Sequence, residues 1–579
     1  MAVHQTGDAA GWPTITALRL GFTVVAVLSL ILGYFGLGSF LAGSVDYGSR
    51  PIDLFYYDLQ LFVLGADPLQ SPGPYPVPLE VARFAAPAAT LYALFEITWR
   101  LFAVEVRKFR ARLVRGHVIV CGDGAIADTL TRRLRAAGSY VVTVRPGAEE
   151  PNRAIGRWLT IAGDPRDPDV LRAAGVDHAV ALYACGADDS AANAAVAFAA
   201  ASARPAESAP LAGYVHIRDP DLCLTLQARY LGVDQPAGVR LDFFNIDDVA
   251  ARTLFTGEPL RPVAGRAPRL VVVGATTFGR AILVEAARSW KSGGAPAAGP
   301  LPVAVVDEHA RFIVDNLIYR YPFLDTSCRI TPHDADLTEM LVSGRLRQSP
   351  DRAFICHDDE DRALQTATTA ERFWHSTPQS IIVRLDQASA IQDSVAGPGD
   401  GSLFDRVDGM VRAFGVVSTA CRPELIGDDL VDRIARVVHE RYRQARHRDG
   451  ELPATNPSTV AWERLPEHLR ESNRRQARDI GRHLSEIRCV LIPRAGNDPG
   501  NALTDDEVER LARMEHERWY DDLSATGWRH AGHTDPERKL HQAMLAWPEL
   551  PARVRQRNHQ AVRDLAAILS DVGFQIVHW

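Results

Sequence analysis

A run of 23 residues without a single charge, from Leu20 to Ala42 (LGFTVVAVLSLILGYFGLGSFLA), limits what this chain can become more than any other feature. At about 1.5 Å of rise per residue, a helix of that length crosses the roughly 30 Å hydrocarbon core of a bilayer. In lipid a lone segment must satisfy its own backbone amides and carbonyls, and a helix does so. A cleavable leader would be shorter, with a basic start and a small-residue cleavage site, whereas Arg19 is the only cation close by.

A second apolar stretch, Phe84 to Ala103, is interrupted by Pro87, Glu96 and Arg100. Its flank makes it a span: Arg107, Lys108, Arg110, Arg112 and Arg115 follow at once, a basic cluster that stays on the cytoplasmic side and fixes the orientation. Both termini then lie inside, and the expected location is the inner (plasma) membrane, crossed twice. Between the spans, Asp46, Asp53, Asp58 and Asp67 stand against Arg50, as in an external loop. Within that loop, Pro51 to Leu64 is too apolar and aromatic for a solvated connection. Helix, short re-entrant helix, helix is the plan of a two-helix cation-channel pore. Gly65, Ala66 and Asp67 follow the short helix and Glu96 sits inside the second span, so these four are the pore candidates. The loop lacks the T-V-G-Y-G filter, which leaves the ion open. The same segment also reads as an interfacial amphipathic helix in a non-conducting tether.

At 579 residues the chain is too long for one core, and three or four packed units are expected. A net charge of −7 with no basic stripe excludes a nucleic-acid partner. Seven cysteines are scattered singly without a C-x-x-C pair, so they read as reduced, buried thiols, and no metal cofactor is expected.

Directly after the basic cluster, the apolar run from His117 to Cys121 ends in Gly122-Asp123-Gly124-Ala125-Ile126-Ala127, a G-x-G-x-x-A turn before a helical stretch. Glycines there permit a tight turn and let backbone amides approach a pyrophosphate at a helix N-terminus. Apolar strands at Tyr140 to Val144, Ala179 to Tyr183 and Gly213 to Ile217, with the Gly163-Asp164 turn among them, repeat a βα rhythm. With G-D-G-A-I-A, A-G-D-P-R-D-P-D-V-L-R-A-A-G-V and A-D-D-S-A-A-N, roughly residues 116–255 resemble the RCK family, the TrkA-N-like nucleotide-sensing Rossmann domains that regulate potassium channels and transporters. The resemblance implies NAD(P) or another adenine nucleotide at Gly122, Gly124, Ala127 and Asp164. Arg145 stands where the second strand would end in an acid for the ribose hydroxyls, and it favours a 2′-phosphate or a different nucleotide.

A second copy begins at Arg269 to Val273, followed by Gly274-Ala275-Thr276-Thr277-Phe278-Gly279 and a strand from Pro302 ending at Asp307. Here the middle glycine has become Thr276, which brings a β-carbon towards any pyrophosphate, while the ribose acid is kept as Asp307. The candidate residues of this copy are Gly274, Thr276, Gly279 and Asp307, and strands at Ala353 to Cys356 and Ser380 to Val383 carry it to about residue 425. A nucleotide-free scaffold used for assembly is the alternative for both copies. Neither shows a positioned acid, base or nucleophile, so no catalytic residue is assigned and the chain is not expected to be an enzyme.

Residues 426–446 read as an amphipathic helix, and a second charged helix follows Pro466. Thr504-Asp505-Asp506-Glu507 is a capping box that opens another helix. With Glu515-His516-Glu517-Arg518-Trp519, then Gly527-Trp528-Arg529, then Lys539-Leu540-His541, that region resembles the RyR repeat, a small helical module thought to recognise nucleotide-like ligands. Arg518, Arg529 and Lys539 suit phosphates, Trp519 and Trp528 suit a base, and Glu515, His516 and His541 suit polar edges. Gln542 replaces the proline usual in the family.

The expected fold class is therefore α/β with membrane helices. Its expected parts are a cytoplasmic N-terminus (1–19), a pore-like membrane region (20–115), Rossmann-like domains (116–258 and 266–425), a helical linker (426–500) and a mainly α-helical RyR module (501–579). The resemblances imply a homo-oligomer, a tetramer in the first instance, that gates potassium or another monovalent cation in response to a nucleotide-type ligand, with anti-phage defence as a setting. The rival reading is a non-conducting, membrane-anchored sensor acting through a protein partner.

Overall fold

A computed structural model describes residues 11–42, 46–65, 67–70, 74–147, 158–186, 189–205, 210–231, 238–292, 298–346, 348–374, 378–386, 411–427, 429–448, 457–494, 503–535 and 538–579, without the side chains of 11–19, 99–108, 429 and 457. Ala66 and the side chains of Arg100, Arg107 and Lys108 therefore lie outside the described residues. The chain divides into two compact units, residues 1–110 and 111–579.

The first unit is built from α1 (Gly11–Leu41), the short α2 (Pro51–Leu61), a 3-10 turn (Asp67–Gln70) and α3, which begins at Val77 and runs to Leu113. Among the described residues, only the stretch Leu20–Leu41 of α1 is long and apolar enough to cross a membrane. The second expected span lies within α3, whose Glu96 and Arg100 lower its apolar character. Val24, Val27, Leu28, Ile31 and Phe35 of α1 and Phe84, Leu91, Leu94 and Phe95 of α3 are all exposed, an apolar surface that a helix facing water would not present.

α1 and α3 pack antiparallel, with Phe22 stacked on Tyr92 at 3.9 Å near one end and Gly36 pressed on Leu79 near the other. Small residues permit this approach, as at helix contacts in lipid. A β-carbon at Gly36 would lie 2.7 Å from the Leu79 backbone nitrogen, so Gly36→Val is expected to part the helices. The cost is roughly 1–3 kcal/mol, read as lost disulfide formation between cysteines placed at Phe22 and Tyr92. Unchanged cross-linking would refute the contact.

In the second unit, β1 (Val118–Cys121), β2 (Val141–Arg145), β3 (Trp158–Ala162), β4 (Ala181–Ala184), β5 (Leu211–His216) and β6 (Val239–Phe244) form an all-parallel sheet in the order 3-2-1-4-5-6. Its helices are α4 (Ala125–Ala136), α5 (Pro168–Ala173), α6 (Ser190–Ala203), α7 (Pro220–Tyr230) and α8 (Ile246–Gly257). The central strands are apolar on both faces because helices cover both. Asp167, Asp189, Asp219 and Asn245 end the connections by accepting first-turn amides of α5, α6, α7 and α8.

The pattern repeats with β7 (Leu270–Val273), β8 (Leu301–Asp307), β9 (Cys328–Asp334), β10 (Arg352–Ile355), β11 (Ile381–Arg384) and β12 (Val411–Phe414), in the order 9-8-7-10-11-12, all parallel. α9 (Thr277–Ser292), α10 (Ala310–Arg320), α11 (Phe323–Ser327), α12 (Leu337–Val342), α13 (Glu360–Phe373), α14 (Val416–Ala420) and α15 (Pro423–Ile426) accompany it. The copies pack on each other: α8 lies on α9, α14 lies on α4, and α8 meets α14. Since α8 corresponds to α14 and α4 to α9, the contact is that of an isologous dimer written into one chain. One hydrophobic core runs through it, including Leu130, Val249, Phe278 and Val416.

α16 (Asp429–Arg448), α17 (Glu467–Glu486), β13 (Cys489–Pro493), α18 (Asp505–Ala525), β14 (Arg529–His530), β15 (Leu540–His541), α19 (Ala552–Arg563), α20 (Leu565–Asp571) and β16 (Phe574–His578) complete the chain. The segment expected as a linker is not a free connector. β13 pairs antiparallel with β16, and Ile434, Ile480 and Leu484 share a core with Leu511, Trp547 and Phe574. All seven cysteines are free and buried.

Candidate functional site

In an open parallel sheet, ligands bind outside the carboxyl ends of the strands where the order reverses. In the first sheet this is between β1 and β4. Gly122, with φ +117, turns the chain there, and a β-carbon on it would lie 2.5 Å from the Gly186 nitrogen. Gly124, at φ +94, caps α4 and leaves first-turn amides of that helix without a side-chain acceptor. Asn193 braces the far wall, its Oδ1 accepting from the Gly186 amide at 2.7 Å and its Nδ2 donating to the His216 carbonyl at 3.0 Å.

Arg145 and Asp164 lie at the same edge, at the ends of β2 and β3, joined by the Gly163 amide donating to the Arg145 carbonyl at 3.0 Å. Arg145 pairs with Asp128 of α4 at 2.5 Å, so its charge is already met in part. Asp164 accepts from Arg166 at 2.8 Å, and that guanidinium holds the carboxyl below its ordinary pKa. Ala127 is fully buried and packs α4 onto the sheet rather than facing a ligand.

The second copy closes its own turn. The Thr276 hydroxyl donates to the Cys356 carbonyl at 2.6 Å, and Asp307 accepts from the Ala275 amide at 2.8 Å and the His309 amide at 2.9 Å. Gly274, at φ +81, is pressed by His357, and a β-carbon on Gly279 would stand 2.1 Å from the Gly274 carbonyl oxygen. His357, which the sequence reading did not single out, is buried, and burial lowers its pKa. The position where a pyrophosphate would sit is thus taken by Thr276 and His357.

In the C-terminal module, the Thr504 box caps α18, with the Glu507 carboxylate accepting from the Thr504 amide at 2.7 Å. Arg518 grips Glu515 through two bonds of 2.6 and 2.9 Å and Asp522 through one of 2.6 Å. With a side chain only 9% exposed, it is a neutralised internal group and not an open phosphate donor. His516 is buried, bonded to the Leu545 carbonyl at 2.8 Å and flanked by Trp519 and Trp547.

What remains accessible is an aromatic face. His541 lies edge-on between Trp519, at 4.9 Å, and Trp528, at 6.3 Å, and all three are half-buried. Burial lowers the His541 pKa, which keeps the ring neutral near pH 7. Exposed Arg529 and Lys539 rim this face, with the Lys539 ammonium donating to the Thr526 carbonyl at 3.0 Å. Cys489, Glu507 and His578 form the one group of metal-ligand residue types drawn together among the described residues. Its Glu507 is already engaged, at 2.7 Å from His578.

In the first unit, Gly65 and Asp67 are exposed and Glu96 is half-buried. Leu64, at φ +59, bends the chain after α2, and the Gln60 side chain donates to Asp67 at 3.3 Å. The residue missed from sequence is Asp58. It is 1% exposed, its carboxylate has no hydrogen-bond partner among the described residues, and a β-carbon on Gly33 would fall 1.9 Å from its Oδ1.

Two family models match the chain: the TrkA-N domain over residues 118–235 and the RyR domain over residues 502–578. No curated protein matches it. Similar solved structures include the GsuK channel, at 13% identity and a TM-score of 0.36, over 72% of this chain and 96% of that one. GsuK bound to ADP is similar at 13% identity and 0.33 over 72% and 97%, and the GsuK channel bound to NAD at 11% and 0.35 over 72% and 83%.

Proposed function

We propose that the chain is a two-span membrane protein in which nucleotide binding to the first α/β copy regulates passage of a monovalent cation, potassium first among them. The observation that carries this reading is the glycine turn at the β1/β4 reversal, formed by Gly122 and Gly124 inside the segment that matches the TrkA-N domain. Its counterpart in the second copy is filled by Thr276 and His357, so the first copy is the sensor and the second its partner in assembly. The aromatic face at Trp519, Trp528 and His541, rimmed by Arg529 and Lys539, takes a second nucleotide-like ligand, and phage defence is the setting that the RyR domain suggests.

The short α2 and the bend at Leu64 support a re-entrant segment, with Gly65, Asp67 and Glu96 as pore candidates alongside Ala66. Subunits assemble as a ring, a tetramer in the first instance, with both termini cytoplasmic. A nucleotide shifts the gate only by binding two packings of that ring unequally. The chain binds its nucleotide without turning it over.

Planar-bilayer recording of the purified protein tests this. Cation currents that change with ADP or NAD(P) are expected. In Gly124→Val, whose side chain both strains the φ of +94 and fills the turn, conduction is retained and the nucleotide response is lost. Nucleotide binding without any current would transfer the reading to the non-conducting sensor. Currents indifferent to every nucleotide would remove the regulatory role.

A further inference from the structure

Beside the start of α9, where Thr277 joins its lining, a cavity of about 420 Å³ opens where α7 and α8 of the first copy face α9 and α10 of the second, with α16 and the end of β13 closing it. That volume falls within the roughly 300–1,000 Å³ of small-ligand pockets. Arg288, Arg320, Arg433 and Arg494 come to it from four different elements, and Arg280 joins them. Asp221, Asp248 and Glu285 are the acids in the lining, so five arginines face three acids, an excess of two positive charges.

Several of these arginines are fixed by neighbours. Arg433, only 6% exposed, donates to the Gln227 side chain at 2.6 Å, and Arg320 lies 3.1 Å from Asp221. Arg288 bonds Glu285 at 2.5 Å and the Asp571 carbonyl at 3.0 Å, with its guanidinium over Tyr321 at 5.5 Å. Even so, the Nε groups of Arg288 and Arg494 are buried without a hydrogen-bond acceptor. Buried donors and surplus buried charge are costly unless something anionic meets them. Planar guanidinium groups match phosphate oxygens best.

We propose that this cleft binds a small phosphorylated anion, at a site separate from the glycine turn of the first copy and from the aromatic face of the C-terminal module. Exposed Phe312 and Tyr319 line it as well and offer a face to an attached base. Because Arg494 belongs to the C-terminal module, the ligand bridges that module and both α/β copies. Lys291 and Arg441 already clamp Asp571 at 3.0 Å beside it.

The test is isothermal titration of the full chain in detergent with inorganic pyrophosphate and with ADP. Saturable pyrophosphate binding that weakens with added salt is expected. Arg320→Gln with Arg494→Gln should reduce affinity about ten-fold or more, while Arg345→Gln, at an exposed arginine outside the lining, leaves pyrophosphate affinity unchanged. Asp248→Asn, which removes a negative charge from the lining, should tighten binding, a gain that misfolding cannot produce. Tighter binding of ADP than pyrophosphate that is lost in the arginine variant would place a nucleoside phosphate here. Absence of saturable pyrophosphate binding, or equal affinity in the folded arginine variant, overturns the proposal and leaves the glycine-turn reading untouched.

Discussion

Arg518→Ala is expected to lower the stability of the C-terminal module by about 3 kcal/mol, because it leaves two acids facing each other without their shared cation. Glu515 and Asp522 are one turn away on either side, and each holds Arg518 at 2.6 Å. Their side chains keep 26% and 29% exposure, so the cost falls at the lower end of the range for breaking a buried pair. In thermal unfolding the midpoint should fall by roughly 6–12 °C. Arg518→Lys should recover part of the loss, since a lysine supplies the charge without the two-pronged grip on Glu515. An Arg518→Ala protein that melts like the wild type but loses a ligand bound at Trp519 and Trp528 would restore Arg518 as a phosphate contact.

Gly279→Val is expected to be at least as damaging to the second α/β copy, at about 3 kcal/mol or more. The obstruction is backbone: the new β-carbon would meet the Gly274 carbonyl oxygen at 2.1 Å, and the Cys356 β-carbon lies 3.3 Å away on another side. Neither can swing aside as a side chain would. The strand-to-helix turn from β7 into α9 must open, and α9 is the helix that carries the contact to α8. Ala127 provides the control, since it holds the corresponding place in the first copy and is accommodated with full burial. Ala127→Gly should cost no more than about 1 kcal/mol of helix propensity plus the loss of one methyl. Equal urea midpoints for Gly279→Val and the wild type would show that the turn is not as tight as described.

Much of the α/β architecture was readable because its causes are local. Runs such as Val118 to Cys121 and Leu270 to Val273, each ending in a glycine turn, announce parallel strands that both faces of a sheet bury. The capping box at Thr504 marks the start of α18 for the same reason, since donor and acceptor are three residues apart. The pairing of Arg518 was also within reach. Glu515, Arg518 and Asp522 stand at i, i+3 and i+7, a spacing that puts them on one helix face, yet the family likeness drew attention to phosphate instead.

What the helices of the linker expected over residues 426–500 pack against was not legible, for a different reason. Amphipathic periodicity shows that α16 and α17 each bury one face, but it does not say against what. The answer is the RyR module, through the core they share and the pairing of Cys489–Pro493 with Phe574–His578. Asp58 shows the same limit in the first unit: the sequence places it in a short apolar helix among other acids of the loop, and its burial beside Gly33 follows only from how α1 and α2 cross.

By itself, then, the sequence determined which segments are strands, helices and turns, and that one segment is apolar enough for lipid, because hydrophobic period and capping act over a few residues. Tertiary structure alone decided that Thr276 and His357 close the second turn, that the two copies join through α8, α9, α4 and α14, and that arginines from Arg280 to Arg494 surround one cleft. Those features depend on groups far apart along the chain, whose meeting is fixed by how sheets and helices pack and leaves no periodic trace in the order of residues.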